Sequence, residues 1–295
     1  MTTTTTPPNS AASADTSALQ SSTAPIGIFD SGLGGLTVMR EIAGLLPQES
    51  LIYLGDTLRC PYGPRPAAEV RDFALQDCRF LQNQGVKLIV IACNTATAVA
   101  RKIAQEELSV PVIGVINPGA RAAVRTTRNR RVGVIGTEGT IASGAYLRAL
   151  LDYDAGLQVT SVATPDFVRI VEDGLSRNES GEIWLPDEFF DLAHRQLDPL
   201  VEAGIDTLVL GCTHYPILEP ALQRVVGPDV TLISSAEETA QSVRHTLMRR
   251  GNAAPIASSK QASRQYFTTG EPDVFELLGS HIMGVSISPA SMVVL

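Results

Sequence analysis

Two cysteines of this 295-residue chain occupy matching places in a repeated segment. GVKLIVIACNTAT begins at Gly85 and GIDTLVLGCTHYP at Gly204; in each, a glycine leads an apolar run and a cysteine follows eight residues after it, at Cys93 and Cys212. A weaker echo lies upstream of each copy, where PIGIFDSGLGGLT around Asp30 parallels RVGVIGTEGTIAS around Thr137. In open α/β sheets, ligands bind beyond the carboxyl ends of the strands. If the two halves face each other, each presents one thiol to the space between them. Two like bases on opposite sides of one carbon are what inversion of a stereocentre by proton removal and return requires.

The neighbours of the thiols fit such chemistry. A cysteine directly after a buried strand, followed by Asn94 and Thr95 or by Thr213 and His214, is expected at the amino end of the next helix. Unpaired N–H groups and the helix dipole there lower a thiol's pKa and attract carboxylates. Taken singly, each cysteine also reads as a small buried hydrophobe. Packing alone, however, gives no reason for both copies to carry a thiol at the same strand end with hydroxyl or amide residues behind it. His214 could form a Cys-x-His metal pair with Cys212, but no second pair exists among His194, His245 and His281, so no metal is expected. An imidazole beside a thiol serves better by taking its proton or by holding substrate charges in place. Asp30 ends the first strand and could do the same for Cys93; alternatively, it or Ser31 caps the helix that starts near Leu36. Glu172, in FVRIVEDG, follows an apolar helical run and by itself reads as a surface carboxylate.

Cofactor signatures are missing. The three lysines, Lys87, Lys102 and Lys260, lie at a strand start, inside a helix and in a Ser-rich loop, none in the setting of a Schiff-base lysine. Gly32, Gly34 and Gly35 do not meet the GxGxxG spacing, and no acidic residue is placed for a ribose. A cofactor-free reaction is therefore expected.

Short runs rich in Val, Ile and Leu alternate with longer amphipathic stretches from Pro25 onward, the pattern of parallel sheets covered by helices on both faces. Strands are expected near 25–29, 51–54, 87–92, 111–115, 131–135, 157–162, 206–210, 230–233 and 264–268, with helices in most intervals. The predicted fold is α/β, with two pseudo-symmetric, doubly wound domains of mainly parallel strands and the site in the cleft between them. Residues 1–24 are expected to form a disordered tail, 25–116 plus 234–295 the first domain, and 117–233 the second. The tail carries too little apolar side chain to offset the entropy of ordering it, and it lacks the basic and apolar parts of an export signal.

A net charge of -8 argues against a nucleic-acid partner, and the run Arg125, Arg128, Arg130, Arg131 is short and isolated. No stretch reaches the apolar length of a membrane helix. The 4 cysteines include no CxxC pair, and free thiols fit a reducing cytoplasm.

With FDSGLGGLTV, YLGDTLRCPYG, ACNTATA, GVIGTEGTI, FVRIVEDG and GCTHYPIL in this order, the chain resembles the glutamate racemases, from about Pro25 to about Ala240. The resemblance implies cofactor-independent interconversion of L- and D-glutamate, supplying D-glutamate for peptidoglycan, with a homodimer expected. Carried over by motif, Cys93 and Cys212 are the two catalytic bases, Asp30 assists Cys93, and His214 and Glu172 lie near Cys212. Ser31, Pro61, Tyr62, Gly63, Asn94, Thr95, Thr137, Thr140 and Thr213 fall on substrate-binding positions. Thr164 and Asn117 depart from the pattern, standing where many relatives carry a cysteine and an acidic residue. Two rival readings are a two-lobed binding module, which has no use for paired thiols, and a related enzyme acting on aspartate or using one thiol.

Overall fold

The computed structural model describes residues 22–172, 176–177, 183–256 and 262–295. The first 21 residues of the expected tail and Lys260 lie outside them. Ser22, placed by the sequence in the tail, is buried, and its carbonyl accepts a hydrogen bond of 2.6 Å from Lys87 Nζ.

Strands β1 (Ile26–Asp30), β2 (Leu51–Gly55), β3 (Leu88–Ile91) and β4 (Val112–Gly114) join β11 (Arg264–Thr268) and β12 (Ala290–Met292) in a six-stranded sheet of order β12-β11-β2-β1-β3-β4. Strands β5 (Arg131–Gly136), β6 (Gln158–Ala163), β9 (Thr207–Gly211) and β10 (Thr231–Ser234) form a second sheet of order β10-β9-β5-β6. All pairings in both sheets are parallel. Written from the other edge, the second sheet reads β6-β5-β9-β10, the order of β2-β1-β3-β4 in the first. The repeat thus extends to topology. The sequence pattern did not reveal the edge strand β12 or the short antiparallel pair β7 (Ser176–Arg177) and β8 (Ile183–Trp184), which carry too few residues for a periodic signal.

Strands β1, β2, β3 and β9 are buried along their whole length, which explains their nearly unbroken apolar composition. Along β3, Leu88 and Val90 enter one core while Ile89 and Ile91 enter another. In β9, Leu208 and Leu210 point to one side and Val209 to the other. Helices α1 (Leu36–Leu45), α2 (Ala67–Asn83) and α3 (Asn94–Glu107) cover the first sheet, with α11 (Pro272–Met283) beside α1. Around the second lie α4 (Ile116–Thr126), α5 (Glu138–Ala142), α6 (Ala145–Tyr153), α7 (Pro165–Glu172), α8 (Asp187–Glu202) and α9 (Glu219–Val226). Helix α10 (Ser235–Arg250) packs against both α1 and α4 and so bridges the halves. Among the described residues no helix is long and apolar enough to cross a membrane.

Each repeat opens on a glycine for a geometric reason. Gly85 and Gly204 follow the ends of α2 and α8 with φ of 73° and 71°, the left-handed turn that sends a finished helix back into a strand.

Candidate active site

In each sheet the strand order reverses beside the first strand, between β1 and β3 and between β5 and β9, and a crevice opens at the carboxyl ends there. Asp30 ends β1, Cys93 follows β3, Thr137 follows β5 and Cys212 follows β9. All four strand ends meet in one region. Ser31, Pro61, Tyr62, Gly63, Cys93 and Asn94 line a single cleft together with Thr95, Thr137, Glu172, Cys212, Thr213 and His214. Asp30 and Thr140 stand directly behind it, the first bonded to Thr213 and the second to Thr95 and Thr137. The cleft is closed to about 20 Å³. That is room for about one water molecule and not for an amino acid.

Cys93 is the N-cap of α3, its sulfur accepting the N–H of Ala96 at 3.5 Å while the thiol faces Ser31 Oγ at 3.8 Å. The expectation that the helix end lowers this thiol's pKa is corrected. Burial and the neighbouring Asp30 carboxyl push it up to about 12, overriding the donors at Ala96 and Ser31. Asp30 is wholly buried. It is no helix cap, and neither is Ser31: the N-cap of α1 is Gly35, without a side-chain bond. Asp30 Oδ2 instead accepts the Gly32 N–H at 3.1 Å, and Oδ1 accepts Thr213 Oγ1 at 3.4 Å from the other half. Burial raises its pKa, against the opposing pull of His214 and the loop N–H groups.

Cys212 is placed differently. No α-helix starts behind it; the chain passes into a 3-10 turn at Tyr215–Leu218, and α9 begins only at Glu219. Pro216 and Pro220, each the second residue of its element, lack the N–H that a helix running on from Cys212 would need. The thiol gains a side-chain partner instead. His214 Nδ1 lies 3.5 Å from Cys212 Sγ, His214 Nε2 lies 3.3 Å from Glu172 Oε1, and the same oxygen accepts the Cys60 thiol at 3.1 Å. Burial would lower the imidazole's pKa, but Cys212, Glu172 and Asp30 hold it well above its ordinary value. Glu172 is therefore not a free surface carboxylate, although its side chain remains 31% exposed. Burial raises its pKa less than His214 and Cys60 lower it, and the net shift is downward.

Polar contacts join the halves around the thiols. Thr95 Oγ1 meets Thr137 Oγ1 at 2.9 Å and Thr140 Oγ1 at 3.2 Å, and Gly139 N–H donates to Gly63 O at 3.0 Å. The Tyr62 hydroxyl is held by two buried carboxylates, Asp56 and Asp77, and Arg59 Nε closes on Asp56 at 2.6 Å. Sequence reading missed Asp56, Asp77, Cys60 and the lining residue Val168. The first and third lie in the quoted YLGDTLRCPYG motif and were there to be found. Asp77 and Val168 are ordinary positions within amphipathic helices and carry no local signal.

The family model for Asp/Glu/hydantoin racemases matches residues 26–243. The glutamate racemase of Exiguobacterium sibiricum is 49% identical over 255 residues, covering 86% of this chain and 90% of that one. Among solved structures, a glutamate racemase isoform from Bacillus anthracis superposes with a TM-score of 0.84 at 44% identity, covering 92% of this chain and 98% of its own. The Francisella tularensis glutamate racemase in complex with D-glutamate gives 0.82 at 32% identity, over 93% and 98% of the two chains. With a cleft of paired thiols between two like sheets and these relationships over nearly its whole described length, the chain belongs to the Asp/Glu/hydantoin racemase family.

Proposed function

We propose that the protein racemises glutamate without a cofactor, Cys93 and Cys212 acting as the two bases. The observation that carries this reading is the convergence of two thiols from equivalent strand ends on one cleft, each with a polar side chain at its sulfur. Cys93, with a pKa of about 12, is a neutral thiol at rest. The His214 imidazole, 3.5 Å from Cys212 Sγ, takes that sulfur's proton, and the imidazolium so formed balances the thiolate's charge. Cys212 then removes the α-proton from one face, the electron pair remains on the α-carbon and its carboxylate, and the Cys93 S–H bond breaks to deliver a proton to the other face. The sulfurs end with their protonation states exchanged, and the opposite enantiomer is the substrate of that exchanged form.

A thiolate is a weak base for so weak a carbon acid, so the site must exclude water and stabilise the developing carboxylate charge with fixed donors. Asn94, Thr95, Thr137, Thr140 and Thr213, with the N–H groups opening α3, are assigned that role, and among the described residues no arginine lines the cleft. Since the cleft is closed to about 20 Å³, substrate entry requires the halves to part. We assign them as domains 25–116 plus 234–295 and 117–233. The product would serve as the D-glutamate of peptidoglycan, made in the cytoplasm by a homodimer.

The test is loss of optical rotation from L-glutamate incubated with purified protein and no added cofactor. Comparable turnover of aspartate would replace the substrate assignment, because a shorter diacid should leave cleft donors unpaired at about 1–3 kcal/mol each.

A further inference from the structure

Asn94 lines the cleft, yet its side chain is oriented from the other half of the molecule. Tyr146, on α6 over the second sheet, is 2% exposed and donates its hydroxyl to Asn94 Oδ1 at 2.8 Å. Ser235, the first residue of the bridging helix α10, stands beside the same hydroxyl. The two meet across Gly119, where a Cβ would stand 3.2 Å from Ser235 Cβ and 3.3 Å from Tyr146 Oη.

A carboxamide has two nearly isosteric ends, one accepting and one donating, and shape does not choose between them. A hydroxyl donating to Asn94 chooses. Oδ1 must face Tyr146, which turns Nδ2 the other way. Nδ2 is buried and has no partner among the described residues. A buried amide donor without a partner is costly in the closed protein, and the cost is recovered when an anionic oxygen arrives. With the amide reversed, the carbonyl oxygen would confront that anion.

We propose that Tyr146 is a positioning residue for the reaction, locking the Asn94 amide so that Nδ2 meets a carboxylate oxygen of the substrate. The proposal rests on the reading that a dicarboxylate amino acid occupies the cleft. Tyr146 touches no reacting atom, and its effect passes through Asn94.

The experiment is a double-mutant cycle of Tyr146→Phe and Asn94→Ala, measuring kcat and KM for both glutamate enantiomers together with the thermal midpoint of each variant. Tyr146→Phe keeps the ring and should raise KM about tenfold, or about 1.4 kcal/mol, by reducing the fraction of correctly turned amide. Asn94→Ala should raise KM further, and adding Tyr146→Phe to it should cost nothing more. Should Tyr146→Phe fail to fold, Ser235→Ala carries the same cycle with a smaller KM effect that also vanishes beside Asn94→Ala. An unchanged KM, or penalties that multiply in the double variant, overturns the proposal and leaves Tyr146 a packing residue. Wild-type protein inert toward both enantiomers overturns the functional reading and this proposal together; active wild type with multiplying penalties overturns this proposal alone.

Discussion

The Cys93 and Cys212 ends of the cleft are built from the same repeated segment and equipped differently. Cys93 caps a 14-residue helix and is surrounded by Asp30 and Ser31, with no imidazole bonded to it. Cys212 enters a 3-10 turn and is bonded to His214, which leans on Glu172. Duplication supplied two thiols at one geometry. The residues around each thiol then diverged, giving one sulfur a carboxyl and a hydroxyl for neighbours and the other an imidazole. The difference teaches that a repeat can keep two positions alike while their neighbours make the environments unlike.

The largest effect expected is loss of either thiol. Cys93→Ala and Cys212→Ala should each abolish racemisation in both directions, and replacement by Ser should lower it about 10²–10⁴-fold with folding intact, as removal of a positioned acid–base group does. Because two enantiomers are equally stable, kcat/KM must fall equally in the two directions. A milder loss at one cysteine would reduce it to a binding residue. In deuterated water the wild-type product should carry solvent deuterium at the α-carbon well before the remaining substrate does; equal early labelling of both would point to a single exchanging base.

The asymmetry itself is exposed when racemisation is blocked. Cys93→Ala retains the Cys212–His214–Glu172 set and should exchange the α-proton of one enantiomer with solvent. Cys212→Ala should exchange that of the other about tenfold more slowly, a difference of about 1.4 kcal/mol in barrier. Proton NMR in deuterated water measures both rates, and equal rates would remove the functional contrast between the ends.

Contrast also marks the starts of the two repeats, where Lys87 and Asp206 hold the same place with opposite charge. Lys87 pairs with Glu49 at 2.6 Å, both side chains 1% exposed, and also binds the carbonyls of Ser22 and Asn252. Asp206 accepts from Thr127 Oγ1 and from the N–H groups of Arg128 and Asn129 near the surface. Lys87→Met should destabilise the fold by about 3–5 kcal/mol, since it strands a buried carboxylate. Asp206→Ala should cost only about 1 kcal/mol. Denaturant titration of both variants checks this, and equal losses would contradict the difference in burial.

The smallest effect is on stability against pH. Glu172 has a lowered pKa, so its contribution is present above the ordinary carboxylate value and is lost as pH falls through its folded value. His214 has a raised one, so its contribution is complete below the ordinary imidazole value and is lost as pH rises through its folded value. The thermal midpoint of wild type should therefore exceed that of Glu172→Gln most between the ordinary carboxylate and ordinary imidazole values, and the lead should shrink toward acid. With the Glu172 side chain 31% exposed, the lead is worth only about 0.5 kcal/mol. A lead that persists once the carboxylate is protonated would assign it to shape rather than charge.

Much of the fold was legible in the chain because burial on both faces writes a strand as an unbroken apolar run. The expected strands near 51–54, 131–135 and 264–268 differ from β2, β5 and β11 by no more than a residue at either end. The repeat also located both thiols, because the same turn, strand and crevice must be encoded twice. What was not legible depends on partners distant in sequence. Nothing local says that Asp77 would meet Tyr62, that Cys60 would meet Glu172, or that Tyr146 would meet Asn94.

By itself the sequence determined the α/β alternation, the duplicated strand–cysteine segments and the residue types available at the cleft, since each follows from local pattern and spacing. Only the tertiary structure decided what those residues experience. Burial beside Asp30 pushes Cys93 up where a helix end alone would draw it down, and contact with Cys212 and Glu172 holds His214 well above its ordinary value. Charge at a site is governed by desolvation and by the few groups within a few ångströms, and in a folded chain those groups come from elements far apart in sequence.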